Sequence, residues 1–161
     1  MKNLNIPVGI SDFEKIRNDK FYYVDKTGLV AELLKTKVEV TFITRPRRFG
    51  KTLGMSMLES FFDIRKDSKS LFDGLEITQN QNLCHEWMNQ YPTVFVSFRQ
   101  VDGLNFTGAY DMLTTVIAEL YKGHPYLLDS DKISPYDKEI MKHSTSTILF
   151  GRRNSGIPYF N

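Results

Sequence analysis

Residues 44–52 read Thr44-Arg45-Pro46-Arg47-Arg48-Phe49-Gly50-Lys51-Thr52 and lie between two segments of different character. The run before them, residues 38–43, is rich in β-branched residues and ends in an apolar pair, which is typical of a buried strand. After them, Leu53, Met57 and Phe61 recur every four residues, which predicts an amphipathic helix. The sequence therefore predicts a loop that joins a strand to the start of a helix.

This loop resembles the Walker A phosphate-binding pattern, G-x-x-x-x-G-K-[ST], in the same strand–loop–helix setting. Gly50, Lys51 and Thr52 fill its last three positions, whereas Arg45 replaces the first glycine. A helix N-terminus offers free N–H groups and a partial positive charge, and glycine lets the backbone approach a phosphate. Lys51 would then contact the β- and γ-phosphates, and the Thr52 hydroxyl would bind Mg²⁺. Because Pro46 has no N–H to donate, we expect the loop to differ in detail from the standard one.

The same loop concentrates positive charge. It places four cations within seven residues, and no acidic residue occurs from Val40 to Leu58, so it should attract anions. We predict that seven residues bind a nucleotide: Arg47, Arg48, Phe49, Gly50, Lys51, Thr52 and Leu53. A solvated basic loop is the alternative at this point, although such a loop does not require Gly-Lys-Thr at a strand-to-helix junction.

Strand-like and helix-like segments alternate along the chain. A second β-prone run covers residues 93–98, and helices are predicted over 11–17, from Thr27, over 82–90 and 107–121, and from Pro135. Such alternation favours an α/β fold with a parallel sheet flanked by helices. Only two strands are well defined, which is few for an open sheet.

Composition narrows the class of protein. The 161 residues are 41% hydrophobic and 25% charged with a net charge of +2, which excludes a disordered chain and a strongly basic nucleic-acid coating protein. The single cysteine, Cys84, excludes an internal disulfide, and no apolar run is long enough for a secretory signal or a membrane span. We expect a globular cytoplasmic protein that does not bind membranes.

Four segments in order resemble a known family. They are Ile6-Pro7-Val8-Gly9-Ile10-Ser11-Asp12-Phe13, Tyr23-Val24-Asp25-Lys26-Thr27, the loop from Arg45 to Thr52, and Pro92-Thr93-Val94-Phe95-Val96-Ser97-Phe98. Together they are similar to the predicted AAA-ATPase-like domain family, in which Arg-Pro-Arg-Arg-Phe commonly precedes Gly-Lys-[Ser/Thr]. The resemblance covers residues 3–143 and implies a P-loop NTPase fold, ATP and Mg²⁺. For residues 144–161 we expect an irregular, poorly ordered tail.

The resemblance also shows what the sequence lacks. A Walker B strand ending in two acids, which family members carry after the last predicted helix, is not visible, so hydrolysis and catalytic residues are not predicted. We expect a truncated, N-terminal part of a P-loop domain, whose longer relatives continue into a PD-(D/E)XK nuclease-like domain. Uncovered apolar faces would then favour weak stability or self-association.

Two further interpretations stay open. The chain could be a non-catalytic fragment that binds a protein partner or nucleic-acid phosphates through its basic loop. The neighbouring Asp25 and Lys26 could lie near a bound nucleotide, although we favour a helix start with a solvated ion pair.

Overall fold

A computed structural model of the chain describes residues 5–149, and it divides into two compact units between Phe95 and Val96. The described residues form seven α-helices: α1 (Phe13–Asn18), α2 (Gly28–Thr36), α3 (Lys51–Phe62), α4 (Lys69–Phe72), α5 (Gln81–Trp87), α6 (Phe106–Lys122) and α7 (Pro135–Leu149). Two short 3₁₀ helices, Glu76–Gln79 and Pro125–Asp129, complete the regular structure. None of these helices is long and apolar enough to cross a membrane.

The predicted α/β fold with a parallel, P-loop-type sheet is wrong for the described residues. Between residues 5 and 149 there is no strand and no sheet; the β pairing there is an isolated parallel bridge between Asp63 and Tyr91. Both predicted strands, 38–43 and 93–98, lack strand structure and expose apolar side chains; Phe42, for example, is 87% exposed. A β-prone pattern favours extended backbone, but a strand also requires a hydrogen-bonded neighbour, and neither run has one in this part of the chain.

The first unit is built around a small aromatic and aliphatic core. Phe13 of α1, Phe61 of α3 and Phe72 of α4 are fully buried. The Phe72 ring centroid lies 4.9 Å from that of Phe13 and 5.4 Å from that of Phe61. Val30 of α2 and Ile77 of the first 3₁₀ helix belong to the same buried cluster. Burial of each of these side chains contributes roughly 1.5–3 kcal/mol relative to exposure, so this core fixes how α1–α4 pack.

Polar contacts secure the ends of these helices. Asp12 caps α1 by accepting a hydrogen bond from the Lys15 N–H at 3.1 Å. The Arg17 guanidinium donates to the carbonyl oxygens of Leu71 and Asp73, at 2.6 and 2.8 Å, which ties the end of α1 to α4. These bonds satisfy carbonyl groups that α4 leaves free at its C-terminus.

The second unit is helical as well. Helix α6 begins at an Asn105 cap, whose side chain accepts from the Gly108 N–H at 2.8 Å, and α6 packs against α7. Gly103 lies so close to the first turn of α6 that a Cβ there would come within 2.2 Å of the Ala109 nitrogen. Helix α7 continues to Leu149, beyond residue 144 where the irregular tail was expected to begin, and residues 150–161 of that prediction lie outside the described residues.

Candidate functional site

The predicted phosphate-binding segment forms the N-terminus of α3. Gly50 precedes the helix with a φ of +74°, in the left-handed region that glycine adopts without strain, and Arg48 has a φ of +68°. Gly50 cannot cap the helix with a side chain, and the first turn of α3 contains no acidic residue. The helix therefore begins with a partial positive charge that no carboxylate on its own first turn offsets.

This helix start borders a cavity of about 430 Å³ within the first unit. Its walls combine cationic, acidic and apolar side chains with glycine backbone. The lining residues are Lys26, Gly28, Leu29, Glu32, Thr41, Ile43, Arg45, Phe49, Gly50, Lys51, Gly54, Met55 and Glu76. A concave surface with an apolar wall and a few convergent charged groups is the usual form of a small-molecule site.

The predicted site residues take different positions relative to this cavity. Phe49, Gly50 and Lys51 line it, and the Lys51 ammonium donates a hydrogen bond to the Arg45 carbonyl oxygen across the loop. Four other predicted residues are not among its lining residues: Arg47, Arg48, Thr52 and Leu53. The first three of these are exposed, whereas Leu53 is half-buried and packs against the hydrophobic core.

The structure also brings in residues outside the seven predicted site residues, and one of them is Lys26, whose place near a nucleotide the sequence left open. Lys26 lines the same cavity, and its Nζ lies 3.6 Å from where a Cβ on Gly50 would be. Two carboxylates, Glu32 and Glu76, line the cavity too. Lys26 is 24 positions before Gly50 in the sequence, so their proximity depends on packing, and the resemblance at residues 23–27 is the signal that pointed to this segment.

Asp25 does not form an ion pair with Lys26 and instead holds the loop before α2 together. One carboxylate oxygen accepts from the N–H and the hydroxyl of Thr27, at 2.8 and 2.7 Å, and the other accepts from the Glu76 N–H at 2.7 Å. Burial raises the pKa of Asp25, but these hydrogen bonds outweigh it and leave the pKa below its ordinary value. The fully buried Thr27 hydroxyl also accepts from the Ile77 N–H, so the segment is anchored to the 3₁₀ helix.

The donor set suits phosphate better than a metal ion held by protein alone. Two ammonium groups and the start of α3 face one cavity, while no group of three or more His, Cys, Asp or Glu side chains in the described residues could hold a metal. Mg²⁺ commonly enters such sites bound to substrate phosphates with only one or two protein carboxylates. Burial raises the pKa of the Cys84 thiol, which lowers the fraction present as the nucleophilic thiolate.

The start of α3, the Lys26 and Lys51 ammonium groups and the cavity together form a candidate site in the first unit. Comparison with known proteins adds the family: the family described as predicted AAA-ATPase matches residues 7–149, and the chain belongs to it. This membership is consistent with nucleotide binding in general and confirms the resemblance found in the sequence.

One relative and the solved structures complete the comparison. An "Uncharacterized protein in vnfD 5'region" of Azotobacter chroococcum mcd 1 is 36% identical over 99 residues, which is 61% of this chain. The match spans 18% of that relative's length. No solved structure matches the chain.

Proposed function

We propose that the chain binds a nucleoside triphosphate, ATP with Mg²⁺, at the cavity beside α3. The observation that carries this proposal is the convergence of Lys51, Lys26 and the uncapped start of α3 on one cavity. A nucleoside triphosphate combines several negative charges with a flat base that packs against apolar side chains, and this cavity combines cations with an apolar wall. Family membership supports the same ligand class.

In this proposal the loop from Arg45 to Thr52 acts as a variant Walker A segment. The Lys51 ammonium would leave the Arg45 carbonyl and bind phosphate oxygens, a stronger, charge-assisted contact. Gly50 would let the phosphates approach the backbone, and Arg47 and Arg48 would add positive potential from the surface. The apolar lining residues Leu29 and Met55 would contact the base or ribose.

The metal would come to the site with the nucleotide. We propose the Thr52 hydroxyl as its protein ligand; Thr52 is exposed in the first turn of α3, next to Lys51. Mg²⁺ neutralises phosphate charge when bound, and the protein's part is to orient the phosphates against the start of α3. Catalysis of hydrolysis forms no part of the proposal.

Titration with a fluorescent ATP analogue (mant-ATP), with and without Mg²⁺, tests this function. Wild type should bind saturably, and Lys51→Ala should bind at least about tenfold more weakly, because a charge-assisted bond to phosphate is worth roughly 1.5–3 kcal/mol. Lys35→Ala is the matched control, since Lys35 lies on α2 and does not line this cavity.

Competition by nucleic acid separates the proposal from a basic loop that binds other phosphates. If wild type and Lys51→Ala bind ATP equally poorly while DNA or RNA binds tightly with a steep salt dependence, the nucleotide proposal is wrong.

A further inference from the structure

We propose that Lys26 is a second phosphate-binding lysine, which holds the same phosphate group as Lys51 or its neighbour. The inference rests on the proposed nucleotide function and adds a residue to that site. Four features of the first unit support it: where the Lys26 ammonium lies, how its neighbours are held, its lack of an ion pair among the described residues, and the charge beside the start of α3.

The Lys26 ammonium lies close to the start of α3. The Nζ of Lys26 lies 3.6 Å from where a Cβ on Gly50 would be, at the residue immediately before α3. Lys26 and Lys51 both line the cavity, and they come from separate segments of the chain. An anion in front of Gly50 would therefore lie within reach of both ammonium groups.

Hydrogen bonds hold the backbone around Lys26 in place. The residues on both sides of Lys26 are fixed, because the Asp25 carboxylate accepts hydrogen bonds from Thr27 and from the Glu76 N–H. Thr27 itself is fully buried. The Lys26 side chain thus begins at a rigid point on the cavity wall, so binding an anion costs less conformational entropy than it would from a mobile loop.

The charge of the Lys26 ammonium is not neutralised by an ion pair within the described residues. Lys26 forms no ion pair with any carboxylate in the described residues, although Glu32 and Glu76 line the same cavity. A surface lysine with acidic neighbours commonly pairs with one of them at little cost. The Lys26 ammonium instead stays close to Gly50 and available to a ligand.

The contrast between two helix starts is the fourth feature. At α2, the Glu76 carboxylate oxygens lie 3.3 and 3.4 Å from where a Cβ on Gly28 would be, so the protein places its own anion there. At α3, the residue just before the helix is Gly50, and the group 3.6 Å from where its Cβ would be is the Lys26 ammonium, a cation. Positive charge beside a positive helix end is mildly unfavourable in water, and a phosphate bound between them would make the arrangement favourable.

Nucleotide titration of Lys26→Met tests the inference. We expect the mant-ATP Kd of Lys26→Met to rise by about tenfold or more, while Lys26→Arg keeps the charge and stays within a few-fold of wild type. Lys35→Met on α2 is the matched control and should bind as wild type does. A urea midpoint for Lys26→Met equal to that of wild type shows that the loss does not come from unfolding.

A comparison of ATP with adenosine, which has no phosphate, identifies the part of the ligand that Lys26 contacts. The penalty of Lys26→Met should be large for ATP and small for adenosine, since only phosphates pair with the ammonium. An equal penalty for ATP and adenosine would overturn the phosphate assignment.

Different results would contradict the role of Lys26 and the proposed nucleotide binding on which it rests. If wild type binds and Lys51→Ala does not, but Lys26→Met binds normally or no worse than Lys35→Met, the inference is wrong and the nucleotide function stands. If wild type binds no nucleotide, the function is wrong, and the role of Lys26 is wrong with it.

Discussion

Replacement of Asp25 by asparagine should destabilise the first unit, because this carboxylate joins the loop before α2 to the 3₁₀ helix. The side chain accepts three hydrogen bonds of 2.7–2.8 Å, two from Thr27 and one from Glu76. Asparagine keeps one oxygen for Thr27, but its NH₂ group would face the Glu76 N–H, so that two donors would oppose each other. Asp25→Asn is thus a nearly isosteric test of this contact.

The size of the effect follows from these contacts. Loss of charge from the two Thr27 bonds weakens them by roughly 0.5 kcal/mol each, and an unsatisfied donor costs about 1–3 kcal/mol. The Glu76 bond is exposed to water, so its loss belongs at the lower end of that range. The total is about 2 kcal/mol, which lowers a urea midpoint by about 1 M at a typical slope of roughly 2 kcal/mol per molar.

The effect should depend on pH in a defined direction. Because the pKa of Asp25 in the folded protein is below the ordinary value of 3.8, its charge stabilises the fold above that value. This contribution is lost as the pH falls through the folded-state pKa. The difference between wild type and Asp25→Asn is therefore largest near neutral pH and shrinks once the pH is below 3.8.

Urea unfolding followed by tryptophan fluorescence measures this difference. Trp87 is the chain's single tryptophan and lies in the first unit, where its ring centroid is 4.8 Å from that of Tyr91. Asp19→Asn is the control, since Asp19 is exposed and should change stability by less than about 0.5 kcal/mol. Equal midpoints for Asp25→Asn and wild type at neutral pH, or a difference that grows on acidification, would refute the reasoning.

Three further substitutions test other parts of the structure. Phe72→Ala removes a fully buried ring that contacts two neighbouring phenylalanines, so we expect a loss of about 3–5 kcal/mol in urea unfolding; a loss below about 1 kcal/mol would contradict the packing. Gly50→Ala places a side chain at a φ of +74° and should cost about 1–2 kcal/mol by calorimetry, whereas an unchanged or higher Tm would contradict the left-handed geometry. Asp63→Ala leaves Arg65 without the buried carboxylate it binds at 2.5–3.0 Å. We expect the free energy of unfolding, measured in urea, to fall by about 3 kcal/mol. Hydrogen bonds and charge from Arg65 keep the pKa of Asp63 low despite burial, so this loss should fade in acid, and a pH-independent loss would count against the pair.

Helices were predictable where the apolar residues recur at helical spacing. The pattern of Leu53, Met57 and Phe61 predicted α3, and the structure places the last two in the core. The predicted starts of α6 and α7 also agree with the structure within a residue or two. Helix α4 was missed because its four residues are too few to reveal a period.

The predicted sheet failed for a physical reason. Residues 38–43 and 93–98 have the composition of strands, but strand formation depends on partners elsewhere in the chain. Val40 is 82% exposed and Phe98 62% exposed, so these runs bury little against the part of the protein that the structure describes. The local sequence of each run favours extended backbone, but it does not reveal whether another segment is placed to pair with that run as a strand.

The candidate site was predictable only in part. A glycine and a lysine at the start of a helix are a local signal, and the structure brings Gly50 and Lys51 to the cavity. Glu32 and Glu76 join them through tertiary packing, which no local pattern reveals. Lys26 joins them too, and it lies in the segment 23–27 that the family resemblance had pointed to. Leu53 packs against the core, a position that follows from the apolar face of α3 rather than from the phosphate pattern.

Backbone amide shifts on addition of ATP and Mg²⁺ test the central claim most directly. Phosphate bound at the start of α3 should shift the ¹⁵N–¹H signals of Gly50, Lys51 and Thr52 saturably, with the same Kd as the fluorescence titration. Amides of α5, a helix of the same unit none of whose residues lines the cavity, should not move. If ATP binds while these three signals remain unchanged, or if no signal in the spectrum shifts, the account of this site is wrong.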